Sequence, residues 1–147
     1  MLLERGANLE AQDGVGQTAV HYAAWAERTR AIRCLIRRGG GANHLRKDKN
    51  WKTPLKLAAS KGHAKTVTLL LENFKPICEE DIACLYLAAA FGHMSAVDVL
   101  LNKVVELKEG PKPRPEAYIE CRWRCMTALL WAALYGQSEV IKLLLNG

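Results

Sequence analysis

One short pattern, met four times, constrains this chain more than any other feature. TAVHYAA at 18–24, TPLKLAA at 53–59, ACLYLAA at 83–89 and TALLWAA at 127–133 line up residue for residue. Each is followed by a second apolar segment: AIRCLI at 31–36, TVTLLL at 66–71, AVDVLL at 96–101 and EVIKLLL at 139–145. The cleanest copy is residues 53–73. Thr53 can cap a helix, and Pro54 falls at the first helical position, where its missing N–H costs nothing. Leu55, Ala58 and Ala59 then share one face, and Gly62 can take the left-handed conformation that ends a helix. A second helix is predicted from about 64 to 72, with Val67, Leu70 and Leu71 on one side. Helices this short are marginal alone, so the unit must bury its apolar faces against neighbours. The recurring Ala–Ala pair lets adjacent first helices approach closely, while the leucines of the second helices fill the space between layers.

These residues resemble the ankyrin repeat, a unit of about 33 residues with a T-P-L-H-x-A signature, two antiparallel helices and a projecting hairpin. The resemblance covers essentially the whole chain and includes the linkers GANLEAQD at 6–13 and GANHLRKD at 41–48. It implies an all-α solenoid of stacked antiparallel helix pairs with projecting hairpin loops. The 147 residues then form a single ankyrin-repeat domain: 1–12 the remnant of a preceding repeat, 13–45 repeat 1, 46–75 repeat 2, 76–121 repeat 3 and 122–147 repeat 4. Met1-Leu2-Leu3 reads as the last turn of an earlier second helix, and LLLNG closes the fourth unit, so the expectation is a segment of a longer array. The spacing is uneven. Signature starts lie 35 residues apart from Thr18 to Thr53, 30 from Thr53 to Ala83 and 44 from Ala83 to Thr127. Gly39–Gly40 supply the first excess. FKPICEEDI is a shortened connection with a reduced hairpin, and repeat 3 carries a long inserted loop at about 102–121.

Half the residues are hydrophobic and 24% are charged, an ordinary soluble composition. No apolar run approaches the ~20 residues of a membrane span, and MLLERGAN lacks the features of a signal peptide. The expectation is a cytoplasmic protein, or a nuclear one, that is not secreted. Five cysteines, an odd number without a dense framework, fit free thiols. The net charge of +6 is unevenly placed: residues 46–75 carry eight basic and two acidic side chains, residues 76–110 two and six.

The chemistry-bearing residues mostly fall on structural positions. His21 stands at the signature histidine, and the resemblance implies a local hydrogen bond to Thr18. His63 and His93 follow glycines that open second helices, whereas His44 falls on a predicted hairpin. Lys56, Tyr86 and Leu130 replace the signature histidine, so those turns need other bonds. Glu27 replaces the inter-helix glycine, and left-handed geometry there costs roughly 1–2 kcal/mol, which predicts a reshaped turn. Ala83 replaces the signature threonine and removes a cap worth about 1 kcal/mol. Cys121 and Cys125 lack the second ligand pair that a structural zinc site needs. In GPKPRPEAY at 110–118 the prolines are two apart, which is not the P-x-x-P spacing. Glu79, Glu80 and Asp81 form one acidic run on a connection, a solvated face. No nucleotide loop or nucleophile elbow occurs. The reading is of a protein that is not an enzyme, with no cofactor and no metal.

The resemblance implies a protein-binding module that uses the inner face of its first helices and its hairpin tips. The two positions after each Ala–Ala pair then face the concavity: Trp25 and Ala26, Ser60 and Lys61, Ala90 and Phe91, Leu134 and Tyr135. RKDKNWK at 46–52 adds a basic hairpin with Arg46, Lys47, Lys49 and Lys52 around Trp51, which replaces a common glycine. Arg122, Trp123 and Arg124 form the last tip. The candidate partner-binding residues are thus Trp25, Lys47, Lys49, Trp51, Lys52, Lys61, Phe91, Arg122, Trp123, Arg124 and Tyr135. The expected partner is another protein, with an acidic segment as the natural complement. The alternative is an anionic surface, RNA, DNA or acidic lipid, on the basic hairpin of repeat 2.

Overall fold

A computed structural model describes residues 8–39, 46–73, 79–108 and 126–146. Eight helices fall among them, in pairs: α1 Ala19–Trp25 with α2 Thr29–Gly39, α3 Pro54–Ser60 with α4 Ala64–Asn73, and α5 Glu79–Ala90 with α6 Met94–Lys108. The fourth pair is α7, helical over 126–134, and α8 Ser138–Asn146. First helices pack on first helices, α1 on α3 and α3 on α5. Second helices do the same along α2, α4, α6 and α8. The result is two rows of helices with the hairpin tips projecting beside the first, the expected all-helical solenoid.

Local chemistry sets each pair. Thr53 has extended backbone and accepts the Lys56 N–H, with Pro54 opening α3. Gly62, Gly92 and Gly136 all take positive φ between the helices, at 74°, 75° and 68°. The core repeats by position. Ile32, Val67, Val97 and Val140 occupy one place in successive second helices, each at most 1% exposed. Ala24, Ala58, Ala59, Ala88, Ala89 and Ala132 of the first helices are fully buried in one continuous core. Among the described residues, one buried side-chain group is left over: the Thr66 hydroxyl finds no hydrogen-bond partner.

Four sequence expectations are revised. The turn at Glu27 is not reshaped: its φ of 55° is left-handed like that of the glycines. Its carboxylate lies 3.5 Å from His63 Nδ1 across the junction. α5 begins at Glu79, so Ala83 lies inside a helix, where no cap is needed, and Glu79, Glu80 and Asp81 occupy its first turn. Acidic residues there favour the helix dipole, which gives the shortened connection a helical rather than looped end. Residues 102–108 are the last turns of α6, not part of an inserted loop, because NKVVELK continues the helical pattern without a breaker until Gly110. Ala90 is buried rather than facing solvent. Met1–Leu3, Gly40, His44, the Phe74–Cys78 part of the short connection, the insertion beyond Lys108, Cys121 and Cys125 lie outside the described residues.

Candidate functional site

The two hairpin tips among the described residues are built alike. Asp13 Oδ1 accepts the backbone N–H groups of Val15 and Gln17, at 2.9 and 2.8 Å. Asp48 Oδ1 accepts those of Asn50 and Lys52, at 2.8 and 2.9 Å. The Tyr22 hydroxyl, 2.6 Å from Asp13 Oδ2, holds the Asp13 carboxyl below the usual range, and the Tyr22 hydroxyl is raised in turn. Burial pushes the Asp48 carboxyl up. The bonds from Gln17, Lys52 and Asn50 outweigh it and leave the group below its ordinary value. The tips are also tied to each other. Gln17 donates to Asp48 Oδ2, the Lys49 N–H donates to the Val15 carbonyl, and Arg46 forks onto Glu10 and Gln12 at 3.2 and 3.1 Å.

His21 joins the same framework from behind. Its Nδ1 accepts from the Thr18 N–H and hydroxyl, as the resemblance implied, and its Nε2–H donates to the Lys52 carbonyl at 3.2 Å. Both nitrogens are thus used by the neutral ring, and burial lowers its pKa from the ordinary 6.5 despite those bonds and the nearby Asp48. A second set of bonds links the units at the opposite end of the first helices. His63 Nε2 donates to the Trp25 carbonyl at 2.9 Å, His93 Nε2 to Ser60 at 3.0 Å, and Gln137 Nε2 to Ala90 at 3.1 Å.

On this frame the eleven candidate residues fall into separate places. Lys52, Lys61 and Phe91 come together, lining one cleft of about 520 Å³ with Lys56, Ser60, Leu87 and His93. Trp25 adjoins it, its ring 5.5 Å beneath the Lys61 ammonium. Lys47 lies 5.0 Å from the Trp51 ring at the second tip, and the Lys49 ammonium donates to the Gly14 carbonyl at 2.8 Å. Trp51 is 71% exposed with φ 58°, at the position where the first tip has Gly16. Tyr135 stands apart, stacked on Trp131 at 6.0 Å and 14°. Arg122, Trp123 and Arg124 lie outside the described residues.

Sequence reasoning missed Tyr22, Lys56, Leu87 and Trp131 as surface-forming residues. Tyr22, Leu87 and Trp131 share one signature position, four residues before Ala26, Phe91 and Tyr135, and so lie on the same helical face. That spacing was the available signal. Lys56 was visible as a departure from the signature, and its ammonium turns back to the Trp51 carbonyl at 3.3 Å.

Comparison with known proteins agrees with this architecture. The family model for ankyrin repeats (3 copies) matches residues 1–81, and that for ankyrin repeats (many copies) matches residues 85–145. The chain belongs to the ankyrin-repeat family, whose members are generally protein–protein interaction modules. Among curated relatives, it is 37% identical over 82 residues to Protein glp-1 of Caenorhabditis elegans, covering 50% of this chain and 6% of that protein. It is 26% identical over 149 residues to Inversin of Canis lupus familiaris, covering 99% of this chain and 13% of that protein. The chain therefore spans a small part of the length of either relative.

Proposed function

We propose that this chain is a non-catalytic scaffold or adaptor segment that binds a partner protein across its first-helix row and hairpin tips. The observation that carries the reading is the cleft at Lys52, Lys61 and Phe91, where basic and apolar side chains meet on the exposed side of α3 and α5. Tyr22, Trp25, Phe91 and Tyr135, each more than half exposed, extend the row on both sides. Rings of this kind are enriched at interface hot spots. The basic side chains favour an acidic partner segment. A protein fits better than an anionic polymer, because Arg46 at the base of the basic hairpin is already paired with the Glu10 carboxylate and bonded to Gln12. A cytoplasmic or nuclear setting belongs to the same proposal, and five cysteines without a dense framework suit it.

The chain is further proposed to be one stretch of a longer array. In the fourth unit Ala133 is exposed, whereas its counterparts Ala24, Ala59 and Ala89 are fully buried. Leu130 and Leu134 on the same helix are 66% and 74% exposed.

A displayed-peptide selection on the immobilised chain, followed by calorimetry with the purified binders, tests the binding reading. Phe91→Ala and Tyr135→Ala should each weaken a binder by about tenfold. Binders indifferent to both, and to charge reversal at Lys47, Lys49 and Lys52, would sink the assignment of this face.

A further inference from the structure

We propose that the cleft between α3 and α5 recognises a two-residue feature: an anionic side chain beside a bulky apolar one, in an extended segment of the partner. This rests on the protein-binding reading above and adds what the partner must carry. The cleft draws three lysines, Lys52, Lys56 and Lys61, to one place, and none of its lining residues is acidic. Two of the ammonium groups are held by neutral groups instead, Lys56 by the Trp51 carbonyl at 3.3 Å and Lys61 by the Trp25 ring at 5.5 Å. Their charges are positioned without being neutralised. Lys52 starts from a pinned backbone, its N–H bound to Asp48 and its carbonyl to His21. Three cationic side chains around a cleft with no acidic lining residue favour an anion entering it.

The other half of the cleft is apolar. Leu87 on α5 and Phe91, the first residue past its end, lie beside the lysines, and Phe91 remains 55% exposed with its ring 6.3 Å from that of His93. His93 cannot serve the anion. Its Nε2–H is spent on the Ser60 carbonyl, and its other edge faces Gly62. The volume, about 520 Å³, lies in the range of small-ligand sites, roughly 300–1,000 Å³, room for one or two side chains. A carboxylate of Asp or Glu and the phosphate of a phosphorylated residue share the required chemistry.

Four capped hexapeptides serve as probes on the isotopically labelled full chain: a Glu-Leu pair in a Gly/Ser context, the same with phosphoserine for Glu, with Gln for Glu, and with Ala for Leu. The first two should shift the amide resonances of Lys52, Lys56, Lys61 and Phe91 saturably. The stronger of the two identifies the anion. The Gln and Ala versions should bind at least about fivefold more weakly. Lys56→Gln should weaken the Glu-Leu probe by about threefold, and Phe91→Ala by about tenfold. Both substituted side chains line the open cleft, and an unchanged thermal melt verifies folding. Equal binding of the Glu and Gln probes, or saturable shifts confined to other residues, would overturn the proposal. If a selected peptide binds through Trp25 and Tyr135 while no probe perturbs the cleft, the protein-binding reading stands and this inference falls.

Discussion

Replacing Gly62 with alanine tests the coupling between units at one atom. Gly62 has φ 74°, and a Cβ there would lie 2.6 Å from His93 Nδ1 and 2.7 Å from its Cγ. The imidazole cannot simply swing aside, because its Nε2–H is bound to the Ser60 carbonyl. Two costs therefore add: about 1–2 kcal/mol for an L-residue in left-handed geometry, and about 0.5–1.5 kcal/mol for the hydrogen bond lost when the ring moves. Gly136 supplies the control. Its φ is 68° and nothing lies within 4 Å of the same added carbon, so Gly136→Ala should cost only the backbone share. Urea denaturation of both variants should show Gly62→Ala the more destabilised by about 1 kcal/mol. In a double-mutant cycle, Gly62→Ala with His93→Ala should cost less than the sum of the two, by a similar amount. Equal destabilisation at Gly62 and Gly136, with additive effects at His93, would falsify the idea that the imidazole locks the junction.

Four further outcomes are expected. Leu70→Ala, at a side chain 1% exposed, should lose roughly 2–5 kcal/mol in the same assay. Thr66→Val should gain about 1 kcal/mol, since it removes a buried hydroxyl without a partner at nearly constant shape; a loss would show that the hydroxyl is satisfied. Because His21 is held below its ordinary 6.5 in the folded chain, the unfolded chain takes up its proton first as pH falls. Its stabilising share is therefore complete above about pH 6.5 and declines below it. Urea midpoints from pH 7.5 to 5 should fall more steeply for the wild type than for His21→Gln. Trp51→Gly relieves φ 58° at an exposed tip and should raise stability by about 0.5–1 kcal/mol while weakening partner binding.

Much of the architecture was legible because each unit's signal is local. Thr53-Pro54 begins a helix, Gly62 ends it, and the Ala–Ala pair marks the packed face, all without reference to the rest of the chain. Glu27 was misread because propensity sees only the residue. It does not see that a histidine 36 positions later would set an imidazole beside the carboxylate. Ala83 and residues 102–108 were misplaced because alignment to a repeat pattern fixes where a helix matches, not where it stops. The site was less legible still. Lys52, Lys61 and Phe91 could be put on one surface by analogy, but their meeting with Lys56 and Leu87 depends on how α3 and α5 pack. The commitment of Arg46 and Lys49 to the first hairpin depends on contacts more than 30 residues apart.

The three junction bonds from His63, His93 and Gln137 all end on main-chain carbonyls, those of Trp25, Ser60 and Ala90. These residues share one position in successive units and could hardly differ more in size or polarity. The bond holding a unit to its predecessor is blind to the side chain beside it. Substitution can therefore explore that position without loosening the stack, and mechanical continuity and surface variety reside in different atoms of the same residue. A chain built this way can change what its row of first helices presents to the outside while keeping the spacing of the row itself.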